Sequence, residues 1–339
     1  MSYELITPSP DIVFTLNKNA ARVTNKIKRI IHQYLPEADV YLSNDQDEAE
    51  SHIKSILKNP ERHIFTGGGD GTTYNFLNMI RKYGNKNLNE YPGLGLLGLG
   101  TGNGLASEVN SHNLEYVLNK IKSGNIAQTK EYNLIETDNC LVHFSTLGVD
   151  AQVLNDFIEV KDKYPLFRKK RLGLPAYLFA YFTKTSHCDA LNKKPWEVRI
   201  INEGDAVYSV SHSKEPKLLE INKGDIIYEG PANLAGVGTA SNYGFNFKVF
   251  PFARQFKDFM NLRIVNISNT EFITHWYALW TGKYENEKVL KDFLVKKVRL
   301  QFSKPAPFQT GGDAKGYREE IVYEISEQKV KLIDFTEHK

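Results

Sequence analysis

The sequence predicts an α/β plus β protein: an N-terminal doubly wound α/β domain followed by a β-sandwich domain. Three observations predict it. Apolar runs alternate with amphipathic stretches through the first 130 residues. Beyond them come short strand-like runs punctuated by Gly, Asn, Asp and Pro. The chain's 339 residues exceed what most single cores hold, which favours two domains.

The first third reads in order. DIVFTL (11–16) is a buried strand, and Val23, Ile27, Ile30, Ile31 and Tyr34 share one helical face. ADVYLS (38–43) is a second strand, followed by a polar-faced helix from Asp45 to Leu57. RHIFT (62–66) is a third strand and runs into a glycine turn. Phe76, Met79, Ile80 and Tyr83 then repeat at helical spacing until Gly84. GLGLLGL (93–99) is a fourth strand, and GTGNGLASEV (100–109) a turn and helix. Strand and helix in alternation give a parallel, Rossmann-like sheet.

From about residue 131 the texture changes. YNLIET, CLVHFSTLG, WEVRIINEG, AVYSVSHS, KLLEIN, LAGVGTAS and FNFKVFPF suggest an antiparallel sandwich, with helices near 174–186 and 270–282. The expected domains are 1–130 and 131–325, with the tail from about 326 to 339 able to return to the first.

Composition narrows the classes. The chain is 41% hydrophobic and 24% charged, as in an ordinary soluble protein. A net charge of +3 does not indicate a nucleic-acid binder. Cys140 and Cys188 form no disulfide framework and fit a reducing cytosol. The pairs Cys140–His143 and His187–Cys188 lack the spacing of a tetrahedral zinc site, so two buried thiols are expected. His143, His187, His212 and His275 have no identifiable partners and read as structural. MSYELITPSP carries no secretory signature, and no apolar run reaches the roughly 18 residues of a membrane span. A cytoplasmic protein with open peripheral membrane contact is the expectation.

FTGGGDGTTYNFLN (65–78) sets four glycines around one aspartate, between a strand and a helix. Bare glycines let backbone N–H groups approach an oxyanion, and the helix N-terminus favours negative charge. A tight turn without a ligand is the plain alternative. There is no G-x-x-x-x-G-K-[ST], which excludes a Walker A protein. The spacing also fits neither a protein kinase glycine loop nor a dinucleotide fingerprint. A carboxylate inside a phosphate loop repels a bare phosphate. It fits if Mg²⁺ bridges, or if Asp70 takes a proton from an attacking hydroxyl.

GGDGT (68–72) followed by LGTGNGLA (99–106) resembles the paired signature of the diacylglycerol kinase catalytic-domain family. That family includes diacylglycerol, sphingosine and ceramide kinases, with NAD kinases as more distant relatives. HFSTLGVDAQV (143–153), GLPAYLFAY (173–181), YGFNFKVFPFA (243–253) and FQTGGDAKG (308–316) resemble its later blocks, so the likeness runs nearly end to end. It implies an NAD kinase/diacylglycerol kinase-like fold. It implies a nucleotide-phosphate loop of Thr66, Gly67, Gly68, Gly69, Gly71 and Thr72, with Thr101, Gly102 and Asn103 as the second wall of an ATP site. Asn17 stands where the family has the Asn of N-P-x-(A/S)-G and is expected to touch nucleotide. Asp70 is the expected base. Asp313 is the expected second carboxylate, for Mg²⁺ or for the Asp70 network. Asp150 is a candidate contact for a lipid headgroup, with a capping role as the alternative.

The chain departs from the pattern in places. Lys18 follows Asn17 where the family has Pro. Gly104 replaces the acid of GTGND, and Asn75 replaces a Glu. D-G-E reads Gly311-Gly312-Asp313, and D-D-G reads Lys257-Asp258-Phe259, which weakens a structural Mg²⁺ there. The segment 161–182 has six basic residues and one acid between 161 and 171, with Tyr164, Leu166 and Phe167 interleaved and an apolar run behind. It reads as a reversible membrane contact, or as a solvated loop before a core helix. The leading expectation is an ATP- and Mg²⁺-dependent lipid kinase. A degenerate nucleotide- or lipid-binding protein and an NAD kinase-like enzyme are the alternatives. Dimerisation is common among such relatives, so a homodimer is one assembly open to the chain.

Overall fold

The structure is a computed structural model, and it describes residues 11–111, 113–126, 128–168, 172–188 and 194–336. The first part is β1 (Ile12–Asn17), α1 (Asn25–Tyr34), β2 (Asp39–Ser43), α2 (Gln46–Ile56), β3 (His63–Gly68), α3 (Asp70–Tyr83), β4 (Leu94–Gly98), α4 (Gly104–Glu108) and α5 (Leu114–Lys122). The four strands are parallel, in the order β4-β3-β1-β2. Val13, Phe14, Leu16, Ile64, Phe65, Leu94 and Leu96 are buried, which explains their near-continuous apolar runs: helices cover both faces of such a sheet. Asp45 caps α2 by accepting the Glu48 N–H at 2.9 Å, and Ile53 and Ile56 anchor that helix.

Register sets the carboxyl ends of β1, β3 and β4 together. Leu16 lies beside Gly67, and Gly68 beside Gly98. In open α/β sheets this edge is where ligands bind.

The second part adds β5 (Thr129–Thr137), β6 (Cys140–Val142), β7 (Phe144–Gly148), α6 (Val149–Lys163), α7 (Gly173–Thr183), β8 (Trp196–Asn202), β9 (Val207–Val210), β10 (Lys217–Leu219), β11 (Ile226–Ala232) and β12 (Leu234–Gly238). After these come β13 (Asn242–Gly244), β14 (Phe247–Lys248), β15 (Met260–Val265), α8 (Asn269–Thr274), α9 (Trp276–Trp280), β16 (Leu290–Val295), β17 (Lys297–Thr310) and β18 (Asp313–Ile333). Pairing in this part is antiparallel. β10, β9, β16, β15, β12 and β7 form one layer, and β11, β8, β18, β5 and β6 another. β17 serves both layers. Its first half pairs with β8 and its end with β7, with the register broken between Gln301 and Ala306. Leu147, Val237, Leu262 and Phe293 pack against Ile135, Val198, Leu300 and Tyr323 as the shared core.

The end of β18 pairs with β5, and Leu332 also pairs with Leu94 of β4. Phe335 follows onto Phe65, with ring centroids 6.5 Å apart. The outer face of β7, β12, β15 and β16 is roofed by α6, α7, α8 and α9, and a cavity lies between.

Three expectations change. Helices α5 and α6 stand where no helix was expected. Asn113 caps α5, which buries Val117, Leu118 and Ile121; α6 buries Ala151, Leu154, Phe157 and Val160. The two thiols are not buried: Cys140 is exposed and Cys188 half-buried, because the alternation of β6 turns Leu141 inward instead of Cys140. Asp70 is not mid-turn. β3 runs straight into α3, with Gly69 as N-cap and Asp70 as the first helical residue.

Candidate functional site

Two glycine loops meet at the edge where β3 and β4 end. A Cβ on Gly100 would lie 2.2 Å from the Gly69 Cα, so the loops touch backbone to backbone. Thr66, Gly67 and Gly68 close β3, and Thr66 is buried. Asn17, at the end of β1, donates from Nδ2 to Thr72 Oγ1 at 3.0 Å.

Asp70 is the clasp between the loops. Its Oδ2 accepts the Gly104 N–H at 3.0 Å and its Oδ1 the Leu105 N–H at 3.2 Å, so it satisfies two open donors at the start of α4. The carboxylate is buried, with His143 Nε2 3.6 Å from Oδ1. His143 therefore has a neighbour that the sequence did not reveal.

Asn103 shapes its own loop. It sits at φ 58°, accepts the Gly100 N–H through Oδ1 at 2.8 Å and donates from Nδ2 to the Gly100 carbonyl at 2.9 Å. Its side chain is buried, while Thr101 and Gly102 line the adjoining cavity. The missing acid at 104 has a steric reason: a Cβ there would lie 2.5 Å from the Asn242 carbonyl oxygen.

Asp313 stands behind Gly71, its Oδ1 2.6 Å from where a Gly71 Cβ would be. It accepts the Tyr74 hydroxyl at 2.7 Å, and Lys315 Nζ lies 4.0 Å away. Lys257 and Asp258 occupy the altered D-D-G positions, where Asp258 forms an ion pair with Lys329. Among the described residues no three His, Cys, Asp or Glu side chains converge to cage a metal ion. Mg²⁺ usually keeps several waters and takes one or two carboxylates plus substrate phosphates. Asp313 fits that second kind of binding.

Asp150, in the first turn of α6, belongs to a polar cluster with the buried Thr146 and Gln309 and the half-buried Tyr243. Thr146, Tyr243 and Gln309 all donate to its Oδ2, Gln309 at 2.9 Å. Asp150 Oδ1 and Gln309 Oε1 are buried and have no hydrogen-bond partner among the described residues. Burial holds the Asp150 carboxyl above the usual carboxylate range. Burial, then the charge of Asp150, pushes the Tyr243 hydroxyl well up. Tyr177 is raised first by burial and then by Asp70, Asp313 and Asp150, so one hydroxyl feels all three carboxylates. Tyr177, Tyr243 and Gln309 were not singled out in the sequence. Their motif blocks were visible, but which polar side chain in each faces the site was not.

Two cavities flank the start of α3. The larger, about 780 Å³, runs from Gly69, Asp70 and Thr101 to apolar walls including Leu154, Phe157 and Trp280. The smaller, about 180 Å³, is lined by Asn17, Ser43, Asp45, Thr66 and Asn75. Thr72 lines both. The later, apolar part of the segment 161–182 lines the larger cavity through Leu174, Tyr177, Leu178, Tyr181 and Phe182. Lys161 and Lys163 end α6 and Tyr164 and Leu166 are exposed, while Lys169, Lys170 and Arg171 lie outside the described residues. Among the described residues no helix is long and apolar enough to cross a membrane.

Residues 15–133 match the family model of the diacylglycerol kinase catalytic domain. The glycine loops of this site lie within that matched stretch, which covers about a third of the chain. The chain is 26% identical to diacylglycerol kinase iota of Mus musculus and 25% to that of Homo sapiens, over 46% of this chain and 17% of theirs. It thus spans about a sixth of the length of these curated relatives. The crystal structure of a diacylglycerol kinase from Bacillus anthracis str. Sterne superposes with a TM-score of 0.63 at 12% identity, covering 97% of this chain and 98% of that one. That likeness bears on the fold: an N-terminal α/β domain and a mostly β domain behind it.

Proposed function

We propose that this protein is an ATP- and Mg²⁺-dependent lipid kinase that transfers the γ-phosphate of ATP to a lipid hydroxyl. One observation carries the reading: a polar cleft and a large apolar cavity meet at Thr72, on the glycine-rich N-terminus of a 14-residue helix. A phosphoryl donor in the first and a lipid in the second would bring phosphate and hydroxyl to the same loop.

Residues 1–130 would carry ATP. The N–H groups at the start of α3, with Asn17, Thr72 and Thr101, hold the phosphates, and the helix dipole favours their charge. Asp313 would hold Mg²⁺ against phosphate oxygens, which supplies charge neutralisation. Residues 131–325 would carry the lipid, with Asp150 at its headgroup. Asp70 receives the proton of the attacking hydroxyl. Each of its oxygens accepts one N–H and keeps a further lone pair. The segment 161–182 rests against the membrane and leads the lipid in. Positioning and charge neutralisation supply most of the catalysis.

The test is labelled ATP and Mg²⁺ with mixed micelles of diacylglycerol, sphingosine or ceramide, with Asp70→Ala and Asp313→Asn alongside. Labelled lipid from the wild type and its loss in both variants supports the kinase. A second reading, a nucleotide- and lipid-binding protein without turnover, is favoured by the two N–H bonds that engage Asp70. ATP and lipid binding without labelled product would support it.

A further inference from the structure

One row of the sheet face that lines the cavity is polar, and Asn261, two residues from Arg263 on β15, is a further polar side chain on that face. Pairing sets Gln309, Thr146, Gly236, Arg263 and Asp292 side by side on β17, β7, β12, β15 and β16. Residues level with one another across a sheet share a face. Two residues along that face the row reads Gly148, Leu234, Val265 and Leu290, with no polar side chain. Gly236 adds nothing between Thr146 and Arg263, since a Cβ there would lie 2.4 Å from Thr146 Cγ2.

Arg263 is 5% exposed and lines the cavity. Its Nε and Nη2 donate to the two Asp292 oxygens, each at 2.8 Å, and Asn261 adds a bond to Asp292 at 2.9 Å. Its Nη1 has no hydrogen-bond partner among the described residues. A buried ion pair costs desolvation, and apolar residues of similar size are often at least as stable. Stability alone therefore does not account for this pair in the cavity wall. Asp292 neutralises the guanidinium, so Nη1 offers a hydrogen bond without net charge. Paired in this way, the guanidinium gives an anion no net charge to bind. The partner that fits is a neutral acceptor, a carbonyl oxygen.

We propose that Arg263 is a carbonyl-recognising group in the acceptor cavity, so that the chain selects lipids bearing an ester or amide carbonyl over alkyl lipids. The proposal rests on the lipid-kinase reading above.

The test compares kcat/KM for dioctanoylglycerol and for its dialkyl ether analogue, with MgATP. The wild type is expected to favour the ester by about tenfold, the worth of one hydrogen bond. In R263M/D292L both partners leave together, so no unpaired charge is buried. There the ester-to-ether ratio is expected to fall below about twofold, by loss on the ester. A merely structural role would lower both rates together and leave the ratio intact. No ester preference in the wild type, or an undiminished one in the double variant, overturns the proposal. Turnover of neither lipid, with phosphate passed to a soluble hydroxyl compound, overturns it along with the lipid reading; loss of the preference alone leaves that reading standing.

Discussion

Gly69 and Gly100 touch through their backbones, and no side chain fits between them: a Cβ on Gly100 would meet the Gly69 Cα at 2.2 Å and its nitrogen at 2.6 Å. Nothing flexible stands in the way to yield. Gly100→Ala must push the glycine loop after β3 from its partner by more than an ångström. Overpacking of this kind costs about 1–3 kcal/mol. A misplacement of about 1 Å at a reacting centre costs on the order of a hundredfold in rate. We expect kcat/KM for phosphoryl transfer to fall by about that factor, with a lower denaturation midpoint. Near-wild-type kinetics in Gly100→Ala would mean that the loops do not act as one unit.

Asp70→Asn tests the clasp and the chemistry together. The amide can accept one of the two N–H groups, but its NH₂ then faces the other. A buried N–H left without an acceptor costs about 1–3 kcal/mol. Loss of a proton acceptor costs about a hundred- to ten-thousandfold in turnover. Both losses are expected, read by a denaturant melt and by steady-state kinetics. A loss of stability with turnover unchanged would leave Asp70 as clasp alone.

The two loops were legible because each is a contiguous motif: GGDGT and GTGN carry their own geometry within a few residues. The β/α alternation before them was legible for the same reason, since apolar strands and helical stripes are local patterns. Helix α6 was not. Its apolar positions Ala151, Leu154, Phe157 and Val160 follow directly on the buried strand Phe144–Gly148, and Gly148, at φ 114°, is where the chain turns between them. The Asp150 cluster was beyond local reading altogether. Asp150 and Gln309 are 159 residues apart, and only the pairing of β7 with β17 brings them together. Gly104 looked like a lost acid, yet the Asn242 carbonyl, from a strand far along the chain, fills the space an acid would need.

Asp150 gives stability a pH dependence. Its folded pKa is raised above the unfolded value, so the folded state binds the extra proton. That contribution is fully present below the unfolded pKa, about 4, and is lost as pH rises through the folded pKa. Asp150→Asn removes the titration. The variant should therefore gain stability relative to the wild type as pH rises from about 4 toward neutrality, read as denaturant midpoints at several pH values. A difference that stays flat, or shrinks, would contradict a raised Asp150 pKa.

The rim of the larger cavity is apolar on two sides. Leu166 is 56% and Phe182 53% exposed beside α6 and α7, and Trp276 and Tyr277 are 57% and 66% exposed on α9. Phe182 also lines the cavity, as does Trp280 at the end of α9, so the exposed surface and the interior are continuous. Hydrogen bonds from the Tyr181 hydroxyl to Asn269 Oδ1 at 2.9 Å, and from Asn269 Nδ2 to the Ser186 carbonyl at 2.6 Å, tie α7 to α8 and hold the two sides as one mouth. Aromatic side chains of this kind favour the headgroup level of a bilayer, and nearby Lys and Arg add about 1 kcal/mol each on anionic lipid. Trp276→Ser with Tyr277→Ser should weaken binding to phosphatidylserine vesicles by about tenfold or more while leaving the thermal midpoint in place, since both side chains face solvent. Raising salt should weaken the wild type further by screening the lysines. Vesicle sedimentation reads both effects; unchanged binding in the double variant would confine the contact to the α6–α7 side.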